Sequence, residues 1–187
     1  MANILFFGRV GMLGKSLSTK RRHISGPRYP NTVSIDTSVY TITWNNIDNI
    51  KNNDGIYSDS DPSASDPNST RYLKATNFGF SIPNSATIKG ILVELGVKSG
   101  NAVEAREASV VIIKFDGSYG STPKGGFVPW PQTDMVLSFG GSTDLWSETW
   151  TPARINDADF GVAIRCLLYL TAYALIEFIR IRVYYSL

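Results

Sequence analysis

Period-two alternation dominates the hydrophobic pattern of this chain and leaves room for little besides β-structure. Between residues 88 and 98, Ile91, Val93, Leu95 and Val97 alternate with Gly90, Glu94, Gly96 and Lys98, with Leu92 the exception. Phe160, Val162, Ile164 and Cys166 alternate with Gly161, Ala163 and Arg165, and Ile179, Ile181, Val183 and Tyr185 alternate with Arg180, Arg182 and Tyr184. Successive side chains of a strand point to opposite faces, so each of these segments reads as a strand with one buried face. Residues 39–44 are β-branched and aromatic and end at Asn45-Asn46, while residues 109–115 form a nearly continuous apolar run that stops at Asp116-Gly117, a turn signal. The one helix expected is a single turn at Pro152–Asn156, with Thr151 as N-cap and Pro152 in the first helical position. Strands divided by glycine, proline and asparagine turns predict an all-β, antiparallel sandwich or barrel, and the sandwich is the fold expected.

Composition narrows what such a sandwich can do. The 187 residues are one domain's worth of material, 43% of them hydrophobic and 18% charged, against about 25% charged in an ordinary domain. Disorder of the whole chain and a coiled coil are excluded. No apolar run approaches the ~20 residues of a membrane-spanning helix, and no membrane partner is expected. A single cysteine, Cys166, excludes an internal disulfide framework and a cysteine-based zinc knuckle, and a single histidine, His23, removes most metal sites and acid–base triads. No enzyme activity, cofactor or metal is expected.

The charge is uneven. Residues 1–35 hold Arg9, Lys15, Lys20, Arg21, Arg22 and Arg28 with no acid, whereas the rest of the chain holds 12 bases and 16 acids. A basic N-terminal arm (1–35) thus precedes a mildly acidic sandwich domain (36–187). The positive charges follow the short apolar run at residues 4–7 instead of preceding it, so no secretory leader is expected. With Gly8, Gly11, Gly14 and Gly26 the arm buries too little to offset its own ordering entropy, and contact with neighbouring subunits is its expected role.

Within the arm, Gly8-Arg9-Val10-Gly11-Met12-Leu13-Gly14-Lys15-Ser16 superficially matches a phosphate loop. That loop needs four residues between its first glycine and the Gly-Lys-Ser, and here five intervene. The spacing of Gly8, Gly11 and Gly14 also resembles extended short-chain dehydrogenases, but either reading needs a helix and a second parallel strand. Lys20-Arg21-Arg22-His23, Gly26-Pro27 and Pro30-Asn31 follow instead. A flexible glycine-rich arm is the better reading. Six cations suit phosphates, yet only Phe6, Phe7 and Tyr29 interleave them, and nucleic acid is not expected as a partner.

Two segments, 52–70 and 117–132, are rich in Asp, Ser, Asn, Gly and Pro and read as long surface loops. Asp54, Asp59, Asp61 and Asp66 in the first would suit calcium by ligand type, but they match no EF-hand order, and solvated turns account for them better. Glu94, Glu104, Glu107 and Glu148 cannot be paired across a cleft from sequence, as glycoside hydrolysis would require. Trp130, Trp146 and Trp150, with Asp144 beside them, are candidates for glycan contact, set against the plainer reading that they pack one end of the sandwich. His23 reads as an arm contact and Cys166 as a buried small hydrophobe.

Leu167-Leu168-Tyr169-Leu170-Thr171-Ala172-Tyr173-Ala174-Leu175-Ile176 joins the last two strands without Gly, Asn, Asp or any charge. Such a junction either bends inside a larger core or lies against another subunit, and Leu167, Leu168, Tyr169, Leu170, Tyr173 and Leu175 are read as an oligomer interface.

Finally, Tyr72-Leu73-Lys74-Ala75-Thr76-Asn77-Phe78-Gly79-Phe80-Ser81-Ile82-Pro83 and Ala86-Thr87-Ile88-Lys89-Gly90-Ile91 resemble a segment of tailed-phage virion proteins. So do Phe139-Gly140-Gly141-Ser142-Thr143-Asp144-Leu145-Trp146, Trp150-Thr151-Pro152-Ala153, Ile155-Asn156-Asp157-Ala158-Asp159-Phe160-Gly161-Val162 and the closing Ile179-Arg180-Ile181-Arg182-Val183-Tyr184-Tyr185. The likeness covers roughly residues 40–187 and departs at residues 167–176, where the family pattern is polar. The resemblance implies a jelly-roll-like sandwich in a virion. With the basic arm, whose Arg9, Lys15, Lys20, Arg21, Arg22 and Arg28 are then read as capsid contacts, it leads to an expected role as a capsid decoration or cement protein on the outer surface of the head. Its expected partner is the major capsid protein, with trimers as the favoured oligomer. The alternative is a tail, baseplate or fibre component that binds glycan.

Overall fold

A computed structural model describes residues 21–60, 69–101, 104–169 and 171–187. In chain order the strands are β1 (Arg22–Arg28), β2 (Thr32–Asp36), β3 (Trp44–Asn45), β4 (Ser58–Ser60), β5 (Tyr72–Thr76), β6 (Thr87–Ser99), β7 (Ala105–Ile113), β8 (Met135–Gly140), β9 (Gly161–Leu168) and β10 (Ala174–Ser186). A 3₁₀ turn at Ile47–Ile50 follows β3, and the helical turn α1 (Pro152–Asn156) precedes β9. The larger sheet runs β3-β4-β10-β6-β8, with β1 also paired to β10, and the smaller runs β2-β5-β9-β7. Every pairing between these strands is antiparallel. The two sheets pack face to face as an all-β sandwich.

The alternation read from the sequence builds the core. β6 and β10 pair from Ala174↔Ser99 to Ser186↔Thr87, and Ile91, Val93, Leu95, Ile179, Ile181 and Val183 lose all contact with solvent. Leu73 and Ala75 of β5, Val162 and Ile164 of β9, and Val110 and Ile112 of β7 meet them from the smaller sheet. The helical turn forms where its cap predicts, with the Thr151 side chain accepting a hydrogen bond from the Arg154 N–H at 3.3 Å. Ile155 from that turn enters the core.

Several expectations need correction. Residues 39–44 do not form a strand: Ile42 makes one isolated bridge to Thr70, and only Trp44–Asn45 pairs regularly. The loop at 52–70 contains β4, whose Ser58 and Ser60 are buried; the Ser58 hydroxyl donates to the Asn45 carbonyl at 2.8 Å, and the Ala174 N–H donates to the Ser60 hydroxyl at 2.9 Å. Ser-Asp-Ser has no apolar period, so its strand identity comes from its partners β3 and β10. The segment at 117–132 forms no regular strand, but it follows the free edge of β7 through antiparallel bridges Ile113↔Tyr119, Val110↔Lys124 and Arg106↔Pro129. The described part of the expected arm is also built into the sheets. Arg22–Arg28 pairs with β10 and Thr32–Asp36 with β5, so residues 22–36 belong to the sheets instead of to a separate arm.

Close approach between β5 and β9 depends on Gly161, where a Cβ would stand 2.0 Å from the Ala75 carbonyl oxygen. Gly161→Ala is therefore expected to lower stability by about 3 kcal/mol, through a backbone shift that separates the two strands. Urea unfolding of the variant against the parent chain checks this, and an unchanged midpoint would show that the strands have slack there.

Candidate functional site

The surface of the sandwich is organised by buried polar clamps. Glu107 is only 1% exposed, yet its carboxylate is fully engaged. One oxygen accepts from the Gly126 N–H at 2.9 Å and the Val128 N–H at 3.3 Å, and the other accepts from the Trp130 indole N–H at 2.9 Å. A carboxylate can enter a core only with its lone pairs occupied, and here those partners all come from the segment along the β7 edge. Further along that segment the Tyr119 hydroxyl donates to Asp36 at 2.6 Å. The Asp36 carboxyl is held down at about 2, first by its hydrogen bond from Ser38 and then by that from Tyr119. Tyr119 and Tyr72 cover Val111, Ile113 and Ala163 on the outer face of the smaller sheet. Sequence reasoning missed Glu107 as a clamp, because the register shift between Glu107 and Ser109 breaks the alternation that would have marked it as inward.

The three tryptophans read as candidates for glycan contact are buried: Trp130 is 3%, Trp146 1% and Trp150 8% exposed. Their indole N–H groups donate inside the protein, from Trp146 to the Ile91 carbonyl at 3.1 Å and from Trp150 to the Leu145 carbonyl at 2.9 Å, besides the Trp130 bond to Glu107. A sugar platform needs an open aromatic face, and this burial favours the plainer reading that the indoles pack the sandwich. Asp144, beside Trp146, accepts from the Trp146 N–H at 2.8 Å and pairs with Lys124 at 2.8 Å.

The other carboxylates are likewise occupied. Asp54 accepts from the Ile56 N–H, and Asp59 accepts from the Asn45 and Asn46 side chains; Asp61 and Asp66 lie outside the described residues. Glu94 pairs with Arg180 at 3.0 Å and Arg182 at 3.5 Å, Glu104 pairs with Arg106, and Glu148 accepts from the Ser121 N–H at 2.9 Å. Glu94 belongs to the larger sheet, Glu107 lies within β7 of the smaller one and Glu104 just precedes it, and each is taken up by partners of its own. Among the described residues there is no cavity, no group of three His, Cys, Asp or Glu placed to hold a metal, and no helix long and apolar enough to cross a membrane. Cys166 is buried, and that burial pushes its thiol pKa well up.

The apolar junction is a crossing between sheets. β9 belongs to the smaller sheet and β10 to the larger, and the chain turns over the end of the core between them. Leu168, Ala172 and Ala174 are buried; Leu167, Tyr173 and Leu175 are half-buried; Tyr169 is 40% exposed; Leu170 lies outside the described residues. The Ala172 N–H donates to the Tyr169 carbonyl at 2.9 Å and the Gly100 N–H to the Tyr173 carbonyl at 3.0 Å. Much of the junction's apolar character is thus used by the protein's own core, and Tyr169, packed on Arg106 at 5.1 Å, is its most exposed aromatic.

Of the six basic residues assigned to capsid contact, Arg9, Lys15 and Lys20 lie outside the described residues, as does the glycine-rich motif at 8–16. Arg21, Arg22 and Arg28 are exposed, the last two at the ends of β1 on the edge of the larger sheet. His23 stacks on Tyr185, with ring centroids 5.3 Å apart and planes 17° apart, and so anchors β1 to β10. Several of the segments read in the sequence as similar to virion proteins pack against one another. The Asn156 side chain brackets Ile82, accepting from its N–H and donating to its carbonyl, both at 2.9 Å. Phe160 packs edge-on against Phe80 at 6.0 Å and Trp150 at 5.3 Å. No family model matches the chain, and no curated protein matches it.

Two outcomes follow from this geometry. Glu107→Gln puts an amide NH₂ where one of the two sets of N–H donors now finds an oxygen, and is expected to cost about 1–3 kcal/mol in urea unfolding. A variant as stable as the parent would show that the clamp is dispensable. Separately, iodide should quench tryptophan emission weakly, and titration with soluble polysaccharides should leave the emission unchanged; a saturable shift on sugar addition would restore the glycan reading.

Proposed function

We propose that this chain is a structural protein of a tailed-phage virion, a decoration or cement protein that binds the capsid shell and bridges neighbouring capsomers. The observation that carries the reading is the strand order. With the segment bridged to β7 counted as a strand, β4, β10, β6 and β8 face β5, β9, β7 and that segment. Read in chain order, these segments would follow two interlocked Greek keys, which supports our reading of the sandwich as a jelly roll, an architecture that recurs in viral capsid domains. The same architecture hosts many functions, so the choice among virion roles rests on the basic N-terminal segment.

That segment enters the fold through β1, an edge strand ending in Arg22 and Arg28. Residues 1–20 would extend from there over the shell and add backbone hydrogen bonds by strand pairing, with cations facing acidic surface. Sandwiches would associate as trimers through the exposed parts of Tyr169, Leu167, Tyr173 and Leu175, so that several weak arm contacts act together. The role is mechanical: bridged capsomers are harder to separate under internal DNA pressure. The burial of Trp130, Trp146 and Trp150 weighs against a glycan-binding tail or fibre component.

A chain that starts at Arg21 keeps β1 and its stacking on Tyr185, and is the right truncation to test. It is expected to fold as the full chain does and to lose occupancy on purified shells in a sedimentation assay. Full occupancy without residues 1–20 would overturn shell binding by the arm.

A further inference from the structure

We infer that β8 is a self-pairing edge, through which two copies of this chain join their larger sheets into one continuous antiparallel sheet. An edge strand exposes a row of unpaired N–H and C=O groups, and soluble proteins blunt such edges with charge, proline, bulges, short length or a covering segment. The other edges of this sandwich are blunted in those ways. β1 carries Arg22, Pro27 and Arg28 and shifts register between Ser25 and Arg28. β2 is closely preceded by Pro30 and ends on Asp36; β3 is two residues long; β7 is covered by the segment running from Tyr119 to Pro129.

Among the described residues, β8 has no charge, proline or bulge within the strand and no covering segment. Its six residues, Met-Val-Leu-Ser-Phe-Gly, include no charge and no proline. They pair with β6 without a register shift from Leu92↔Gly140 to Val97↔Met135. Among the described residues β6 is their one strand neighbour. Val136, a β-branched residue suited to a paired strand, stands 51% exposed on the outer face.

The pattern selects a second copy as the occupant. Leu137 is buried and is flanked on the inner face by the half-buried Met135 and Phe139, so the apolar side chains are disposed symmetrically about it. Pairing must keep inner residues beside inner residues, since a one-residue slip would turn the apolar set outward. A two-fold axis at Leu137 meets that condition. It sets Met135 beside Phe139, Leu137 beside Leu137 and Val136 beside Ser138, and it places Asp134 beside Gly140, so no like charges meet. This contact is separate from the junction between β9 and β10 and independent of any shell.

The register gives a test by charge pattern. Val136 and Ser138 are both exposed on the outer face, so charged substitutions there leave the core untouched. V136K/S138K places lysine opposite lysine at two points across the axis, and V136K/S138E places lysine opposite glutamate. Sedimentation velocity and light scattering on the full chain are expected to show V136K/S138K at half the parent mass, with a self-association Kd raised about tenfold or more. V136K/S138E is expected to keep the parent mass, and circular dichroism would confirm that both variants are folded. Parent-like association of V136K/S138K would overturn the proposal. So would equal loss in both variants, which would assign the edge to a different peptide, or a parent chain that stays monomeric at the highest concentration reached.

Discussion

The pairing of β10 with β6 is the constraint on which the rest of the structure depends. Both strands are 13 residues long, and they pair along almost their whole length. Their inner side chains supply the floor of the core, while β10 carries β4 on the first part of its other side and β1 on the last part. Two short or irregular segments, β4 and β1, thus take their strand identity from one long neighbour, and β3 takes its own from β4. Ser58–Ser60 and Trp44–Asn45 would not be strands in isolation, because neither holds enough apolar surface to fix a register. Glycine at position 96 lets the Phe178 ring lie across the outer face of this pair, where Arg180 stacks on it at 4.7 Å.

A second level of order comes from polar groups that join distant segments. Glu107 ties residues 126–130 to β7, Tyr119 ties the same segment to Asp36 of β2, and Asn156 ties α1 to Ile82. Each bond satisfies a group that would otherwise be costly to bury, and each pins a segment that has no hydrophobic period of its own. The long segment after β7 is therefore a fixed cover on an exposed edge. Its fixation leaves β8 as the one edge strand of more than two residues, among the described residues, that carries neither charge nor a register shift.

The segments whose sequence was read as similar to virion proteins contribute mainly to this framework. Phe78, Phe80, Trp146, Trp150, Ile155 and Phe160 are buried, and Asn156 is a bracket between segments. They carry a signature of how the end of the sandwich is packed. The surfaces through which the protein would act, the basic segment at β1 and the edge at β8, lie outside that set of aromatic contacts. The tryptophans show the same division. Clustered aromatic residues suggested a binding platform, but their donors are all satisfied within the protein, and the cluster is architectural.

By itself the sequence determined the all-β class, the faces of β6, β9 and β10, the capped turn at Pro152–Asn156 and the burial of Cys166. These are local properties: a period of two needs only a strand and a core to be expressed, and a cap needs only its own turn. Tertiary structure decided that residues 22–36 belong to the sheets, that β4 is a strand, that Glu107 is a buried clamp, and that residues 167–176 cross between sheets. None of these has a local period or spacing to announce it. Each follows from which distant backbone groups and donors the long β6–β10 pair brings within hydrogen-bonding reach.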